Sequence, residues 1–480
     1  MLQGLPFTDD ARWLMTTGAL AFVRMHDRGM PVDVDYCKSA IIKVRKDMSE
    51  IEEAAWTEDG GREWSSSYGR GANLSDNNQA RHILYEVLGL TSTEGSKTAT
   101  GLDAIGKDAL EGINHPIVRR ILEYRKRDKA VATLKGILRE TVDGRIHPFF
   151  HVCGFEEGHN TVRTYRTSSS EPNFQNMPIR DPEIGRIIRM AFRAPPGWCI
   201  VEADYSKMEV HAMTWYHKDP TMIEYLINDH DMHKDLALEC FMLTEGQYAA
   251  CLPKPKAIRN EAKSNFIFAE FYGSYWPQVA YALWGSAAQY GFRLGDGTPF
   301  LKHFDSMGIT KLGMPKRIKG KLQDPEPGTF CDHIKNVEFN FWKKRFPKYD
   351  QWRRRWYEDY QKKGSFDTLA GFHHEGVFRR NEVINTPGQG TGSHCKMRGV
   401  IGITKTVAAR KMRAYPNAEI HDSILGMVPE EEVPEYIELC KVHMAQKVME
   451  AWPWIITPIT IEVEVSPPGG TWYEKREWSN

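Results

Sequence analysis

Asp204 and Asp422 have the surroundings expected of acids that do chemistry. Asp204 ends an apolar run in Val201-Glu202-Ala203-Asp204-Tyr205-Ser206-Lys207-Met208-Glu209, and Asp422 sits between two short apolar runs in Ile420-His421-Asp422-Ser423-Ile424-Leu425. Each reads as a carboxylate at the end or tight turn of a buried strand. Two such acids brought together would hold a pair of divalent cations about 3.5–4 Å apart, the arrangement that drives in-line phosphoryl transfer. Mg²⁺ is the expected metal, two ions of it, because it prefers carboxylate, water and substrate phosphate oxygens. Taken singly, either Asp is more often a plain turn former, so the reading depends on what else the chain supplies.

It supplies a cationic grip. In Arg259-Asn260-Glu261-Ala262-Lys263-Ser264-Asn265-Phe266-Ile267-Phe268-Ala269-Glu270-Phe271-Tyr272-Gly273, Arg259 and Lys263 are four residues apart and project from one helix face. Arg binds phosphate oxygens bidentately, whereas Lys acts as a mobile point charge. The aromatic turns ending in Tyr-Gly set this stretch apart from a surface helix with two exposed cations.

The elements that must position these groups follow from the wider pattern. The chain has 480 residues, 41% hydrophobic and 26% charged, enough for two to four domains or subdomains with ample core. Lys+Arg and Asp+Glu are both 63, so any polyanion site must come from local clusters such as Arg353-Arg354-Arg355 and Lys316-Arg317-Ile318-Lys319-Gly320-Lys321. The 8 Cys are scattered with no C-x-x-C pair, which argues against a zinc ribbon and fits reduced thiols. No signal peptide and no bilayer-spanning apolar stretch are seen, so a cytosolic location, with no membrane, is expected.

Helices are predicted over 8–28, 36–56, from 73–75 to Leu88, and 115–139, with a Ser/Thr/Gly-rich mobile tip at 91–101. Asp143-Gly144-Arg145 reads as a hairpin turn, 146–152 and 198–203 as strands, and the strict alternation of 459–465 as a half-buried strand. With the hairpin around Asp422, these form an antiparallel sheet assembled from distant parts of the chain. Residues 216–378 are again mainly helical.

DYSKMEVH, the R-x-x-x-K helix ending in Tyr-Gly, and the HDS hairpin resemble the three polymerase motifs of family A DNA polymerases, the bacterial DNA polymerase I class that includes many phage replicases. Three more matches fall in the family's order: Arg166-Thr167-Ser168-Ser169-Ser170-Glu171-Pro172-Asn173-Phe174-Gln175-Asn176 resembles its primer–template segment, Asp231-Met232-His233 its D-x-H helix start, and Asn385-Thr386-Pro387-Gly388-Gln389-Gly390-Thr391 its N-x-P-x-Q-G-T segment. The resemblance runs from about residue 10 to 475. It implies an α+β right-hand polymerase fold, with an antiparallel palm sheet and helical thumb and fingers. The implied organisation is 1–35 as an N-terminal helix on the palm, 36–145 thumb, 146–215 first part of the palm, 216–378 fingers, and 379–480 second part of the palm. The implied activity is template-directed DNA synthesis, adding dNTPs to a primer 3′-hydroxyl with two Mg²⁺ ions. Carried over residue by residue, Asp204 and Asp422 bind the metals, with the Tyr205 carbonyl a further ligand. Arg259, Lys263 and His233 hold the triphosphate, Glu209 sits where a ribose 2′-hydroxyl would be, and Tyr272 closes the base-pair pocket. His421 lies near the primer-terminal phosphate, and Arg166, Asn385 and Gln389 contact the duplex.

Departures from the family pattern carry their own expectations. Ser423 stands where the family usually has Glu, so a third acid is expected to be missing. Lys207 replaces a common Gln and adds positive charge near the phosphates, and Asn381 replaces a frequent Arg. An extra segment of roughly 283–330 suits either contact with template or single-stranded DNA through Lys316, Arg317, Lys319 and Lys321, or docking of a partner protein. No D-x-E cluster precedes the polymerase-like sequence, so synthesis without 3′–5′ proofreading is expected, with a separate exonuclease or processivity factor as partner. Two alternatives stay open: a single-subunit RNA polymerase on a related palm, against which Glu209 argues, and an inactive DNA-binding subunit, against which the intact acids and cations argue.

One spacing is unusual. Lys263 to Tyr272 is nine residues, one more than the family pattern. A straight helix, at about 100° per residue, would turn Phe268 and Tyr272 away from the cations and put Ile267 at the sugar. A single-turn π-bulge between Lys263 and Phe268 would absorb the extra residue and return both aromatics to the cationic face. The bulge is the expected form, and with it the resemblance implies that Phe268→Tyr improves dideoxynucleotide acceptance.

Overall fold

The apolar runs flanking the two acids fold into one sheet. A computed structural model describes residues 7–91, 97–98, 101–152, 163–178 and 181–479. At its centre are five antiparallel strands from distant parts of the chain: β1 (Trp198–Tyr205), β2 (Tyr415–Ile420), β3 (Ser423–Pro429), β4 (Ile461–Val465) and β5 (Arg476–Glu477), in spatial order β2-β3-β1-β4-β5. Asp204 pairs with Ser423 on one side and Glu462 on the other. Directly paired residues share a face, so Glu202, Asp204, Ser423, Glu462 and Glu464 line one side of the sheet. Val201, Ala203, Tyr205 and Ile424 line the other side, in the central core shared with the long helix Arg380–Ala409 and the C-terminal helices.

The helix Asp9–Arg28 begins as its sequence requires. The Thr8 hydroxyl accepts from the Ala11 N–H, Asp9 and Asp10 occupy the first turn, and Gly29 ends the helix at φ 61. It joins the central core, and Trp452 Nε1 donates to Asp10 at 2.6 Å. The helices Val34–Thr57 and Pro116–Glu140 pack on each other. Cys37–Met48 and Ala130–Ile137 belong to the central core, while Ala55, Ile117 and Ile121 join Trp64, Leu74, Ile83 and Leu84 in a separate small one. Of the predicted tip 91–101, residues 92–96 and 99–100 lie outside the described residues.

The strand predicted over 146–152 is two pieces. Arg145–Ile146 pairs with Met30–Pro31, and Phe149–His151 pairs with Ser168–Ser170. Pro148 lies between them and has no N–H to continue a ladder. Neither piece joins the five-stranded sheet.

Residues 210–349 build a further core from Leu236, Phe241, Phe266, Ile267, Phe271, Phe304, Phe330, Trp342 and their neighbours. The helical stretch of residues 255–271 runs through it, and a small hairpin, Arg317–Ile318 with Lys321–Leu322, lies on its surface.

Candidate active site

β1 carries Asp204 to one end of the sheet, and the β2–β3 hairpin brings Asp422 beside it. The hairpin turn is only His421 and Asp422, because Ile420 pairs directly with Ser423. His421 takes φ 50, the left-handed region that glycine normally fills at this turn position. The Asp204 carboxyl is pushed up to about 7. Partial burial between the flanking strands is the first cause, followed by the negative charges of Asp422, Glu202 and Glu462, with Lys475 opposing. Solvent still reaches Asp204 from the open side, so the crowding of negative charge is what a bound cation would relieve.

The expectation that a third acid is missing is corrected here. Ser423 does stand beside Asp204, but Glu462 faces Asp204 across the β1–β4 ladder and accepts from the Ser206 hydroxyl at 2.8 Å. Behind them Glu202 is buried and held by Lys475 (2.5 Å), Trp472 Nε1 (2.8 Å) and the Ser423 hydroxyl (3.0 Å). Its carboxyl stays below the ordinary range: burial would raise it, but Lys475, Trp472 and Arg189 together outweigh that. Among the described residues, no three His, Cys, Asp or Glu side chains form a ready cage for an ion. That open donor set fits Mg²⁺, which is usually held by one or two carboxylates with waters and substrate phosphates completing the shell. The Tyr205 side chain turns into the core and donates to the Met444 carbonyl at 2.6 Å, leaving only its main chain beside Asp204.

The unusual spacing is resolved as expected. Residues Pro255–Ala262 are α-helical, Lys263–Phe268 form a π-turn, and Ala269–Phe271 return to α-helix. Phe268 consequently lies 5.3 Å from the Lys263 ammonium, 6.2 Å from the His233 ring and 6.1 Å from the Tyr272 ring. Ile267 is fully buried in the core. Arg259 is paired with Asp231 at 2.7 Å, and Lys207 with Asp229 at 2.5 Å. Two of the predicted phosphate-binding cations, Arg259 and Lys207, are thus engaged by acids of the 229–231 loop, which the sequence showed only as a helix start. The Lys263 ammonium is held below the usual lysine range, first by burial and then by Arg259, while Asp204, Glu209 and Glu462 pull the other way. Lys263 therefore sits in the field of both the cations and the acids. His233 is pushed down to about 3 by burial and by Arg259 and Lys263, so it is neutral at ordinary pH. Among the described residues its buried Nδ1 has no partner.

A third group joins Arg166, Glu209, Tyr272, Asn385 and Gln389. Arg166 donates to Glu209 at 2.9 Å and to the Gln389 carbonyl at 3.3 Å. The Tyr272 hydroxyl donates to the other Glu209 oxygen, and Asn385 donates to the Tyr272 carbonyl at 3.4 Å. Pro387 lies inside the helix Arg380–Ala409 and offers no N–H to the Val383 carbonyl, which instead accepts from Trp356 Nε1 at 3.0 Å. A Cβ on Gly388 would stand 2.4 Å from the Met213 sulfur, so glycine allows this helix its close approach to the helix Met208–His217 that carries Glu209.

Beneath the His421–Asp422 turn lies a device that sequence reasoning missed. Lys396 and Glu419, 1% and 0% exposed, pair at 2.7 Å. The Lys396 ammonium also donates to the His421 carbonyl at 2.6 Å and to Thr167 at 3.3 Å, and Gln175 donates to Glu419 at 2.9 Å. One buried ion pair thus ties the turn to the 166–176 segment and to the helix bearing Asn385 and Gln389.

Comparison with known proteins agrees with this geometry. The family model described as DNA polymerase family A matches residues 34–289. DNA polymerase I of Bacillus subtilis is 25% identical over 463 residues, covering 95% of this chain and 45% of that protein. The thermostable DNA polymerase I of Thermus filiformis is 26% identical over 470 residues, covering 94% and 47%. The chain thus spans about half the length of these curated relatives. Among solved structures, the POL domain of Pol1 from M. smegmatis, in complex with DNA primer-template and dNTP, superposes with a TM-score of 0.71 at 23% identity, over 96% of this chain and 70% of that one. The fold is the right-hand polymerase architecture, and the chain belongs to DNA polymerase family A.

Proposed function

We propose that this chain catalyses template-directed DNA synthesis, joining a primer 3′-hydroxyl to the α-phosphorus of an incoming dNTP with release of pyrophosphate. The observation that supports the reading is the π-turn, which brings Phe268, with Tyr272 beside it, to the Lys263 ammonium in the field of Asp204, where an aromatic face would suit a nucleotide. The M. smegmatis domain of the same fold, in complex with primer-template and dNTP, supports it.

In this reading residues 36–145 are the thumb, 216–378 the fingers, and 146–215 with 379–480 the palm, with 1–35 packed on it. Asp204 and Asp422 would hold two Mg²⁺ ions, which when bound would neutralise charge on the reacting phosphates. Lys263, Arg259 and neutral His233 orient the triphosphate. Arg259 exchanges Asp231 for phosphate oxygens, and Lys207 adds charge from beside Asp229. Glu209, fixed by Arg166 and Tyr272, excludes a ribose 2′-hydroxyl. Asn385, Gln389, Arg166 and His421 hold the primer–template end. Catalysis by these residues is positioning and electrostatics rather than covalent chemistry.

The test is primer extension by the purified chain with Mg²⁺. Template-dependent extension with dNTPs and poor extension with rNTPs is expected. Equal or better use of rNTPs would favour an RNA polymerase, and no extension with either would favour an inactive DNA-binding subunit.

A further inference from the structure

The basic run of the extra segment is a tight hairpin. Arg317 pairs with Leu322 and Ile318 with Lys321, and the two-residue turn is Lys319 and Gly320, at φ 49 and 77. Both turn residues are left-handed, as a tight hairpin turn requires, and a lysine holds a position that L side chains rarely adopt. Its two faces differ. Leu322 packs on the 210–349 core, and Arg317 donates to the Tyr275 hydroxyl at 3.2 Å. The opposite face carries Ile318, 56% exposed, with Lys321, and the exposed Lys316 and Lys319 flank it. No ion pair engages Lys316, Arg317, Lys319 or Lys321 among the described residues. The nearest acids in the chain are occupied: Asp324 by Lys335 at 2.6 Å and Glu326 by Lys311 at 2.7 Å.

The hairpin's place gives this charge a partner. Tyr275 is three residues beyond Tyr272 and immediately precedes the helix Trp276–Gln289. Resting on the reading above, in which Tyr272 closes the base-pair pocket, the template strand ahead of the templating base must leave past this end of the nucleotide helix. We propose that the outer face of the hairpin grips that unpaired template strand, Lys316, Lys319 and Lys321 meeting its phosphates and Ile318 a base face. Cations beside apolar surface are the composition that holds single strands without reading their sequence.

The test is Lys316→Gln/Lys319→Gln/Lys321→Gln, which leaves the docking Arg317 in place. Binding is measured against salt on two primer–templates, one with a single unpaired template nucleotide and one with about fifteen, the upper end of a single-strand site. On the long overhang the slope of log K against log salt should fall by about 2, so that between 50 and 200 mM salt the wild type loses roughly twenty-fold more affinity than the variant. On the short overhang the two proteins should behave alike. An unchanged slope on the long overhang, or an equal change on both substrates, would overturn the proposal; the former is the result expected if the hairpin docks a protein instead. Primer extension on the short overhang reports the polymerase reading separately, so failure of one is not confused with failure of the other.

Discussion

Replacing Lys396 with Met removes one half of an ion pair that is closed to water on both sides, 1% and 0% exposed at 2.7 Å. Among the described residues, the Glu419 carboxylate would keep only its bond from Gln175. Breaking one partner of a buried pair costs about 3–5 kcal/mol, because the remaining charge is uncompensated. The variant should therefore unfold at clearly lower temperature. Adding Glu419→Gln removes that stranded charge and should restore most of the loss. The His421 carbonyl is different: both variants lose the bond it accepts from Lys396, and a hydrogen bond from a charged group is worth about 1.5–3 kcal/mol. The left-handed His421 would then be less firmly held, and Asp422 with it. Single-nucleotide extension should stay about tenfold slower in the double variant, even with stability recovered. Thermal unfolding and rapid-quench extension on the same preparations provide the assay. A Lys396→Met protein as stable as wild type would refute the burial argument. A stable double variant with wild-type extension would show that Lys396 does not position the turn.

Three further outcomes follow. Glu209→Ala should raise ribonucleotide incorporation relative to dNTPs and also slow dNTP use, because Arg166 and Tyr272 lose their shared acceptor; the ratio of kcat/KM values for the two nucleotides checks both. Phe268→Ala should raise the KM for dNTP, whereas Ile267→Val, deep in the core, should cost about 0.5–1.5 kcal/mol of stability and leave KM unchanged; the reverse pattern would contradict the π-turn. Without metal, Asp204 is protonated up to about pH 7 when folded but only to about 4 when unfolded, so its favourable contribution is full below pH 4 and lost as pH rises through 7. Melting temperature without divalent cation should therefore decline over that window, less so in Asp204→Asn, and Mg²⁺ should restore it at pH 8.

What could be read from sequence was what local chemistry determines. Apolar runs placed β1 and β3 around the acids and caps placed the first helices, while the resemblance to the family's spacing made Lys263 to Tyr272 one residue too long and so implied the π-turn. What could not be read depends on register and distant pairing. Glu462 looked like one outward residue of an alternating strand; only the β1–β4 ladder sets it opposite Asp204. Lys396 and Glu419 drew no reading from their local sequence, and their meeting follows from how the helix and the strand that carry them pack. Asp231 was legible as a helix cap, which it is, since it accepts from the Lys234 N–H, but not as the partner of Arg259. The strand expected over 146–152 overlooked the missing N–H of Pro148, which falls between two separate pairings.

The carboxylate pair is tested most directly by extension with Asp204→Ala and Asp422→Ala, each measured beside its affinity for primer–template. Either change should abolish extension in Mg²⁺ while duplex binding stays near wild type, because phosphate contacts made elsewhere carry most of the affinity. Substantial extension by either variant would contradict the assignment of this carboxylate pair as the catalytic centre.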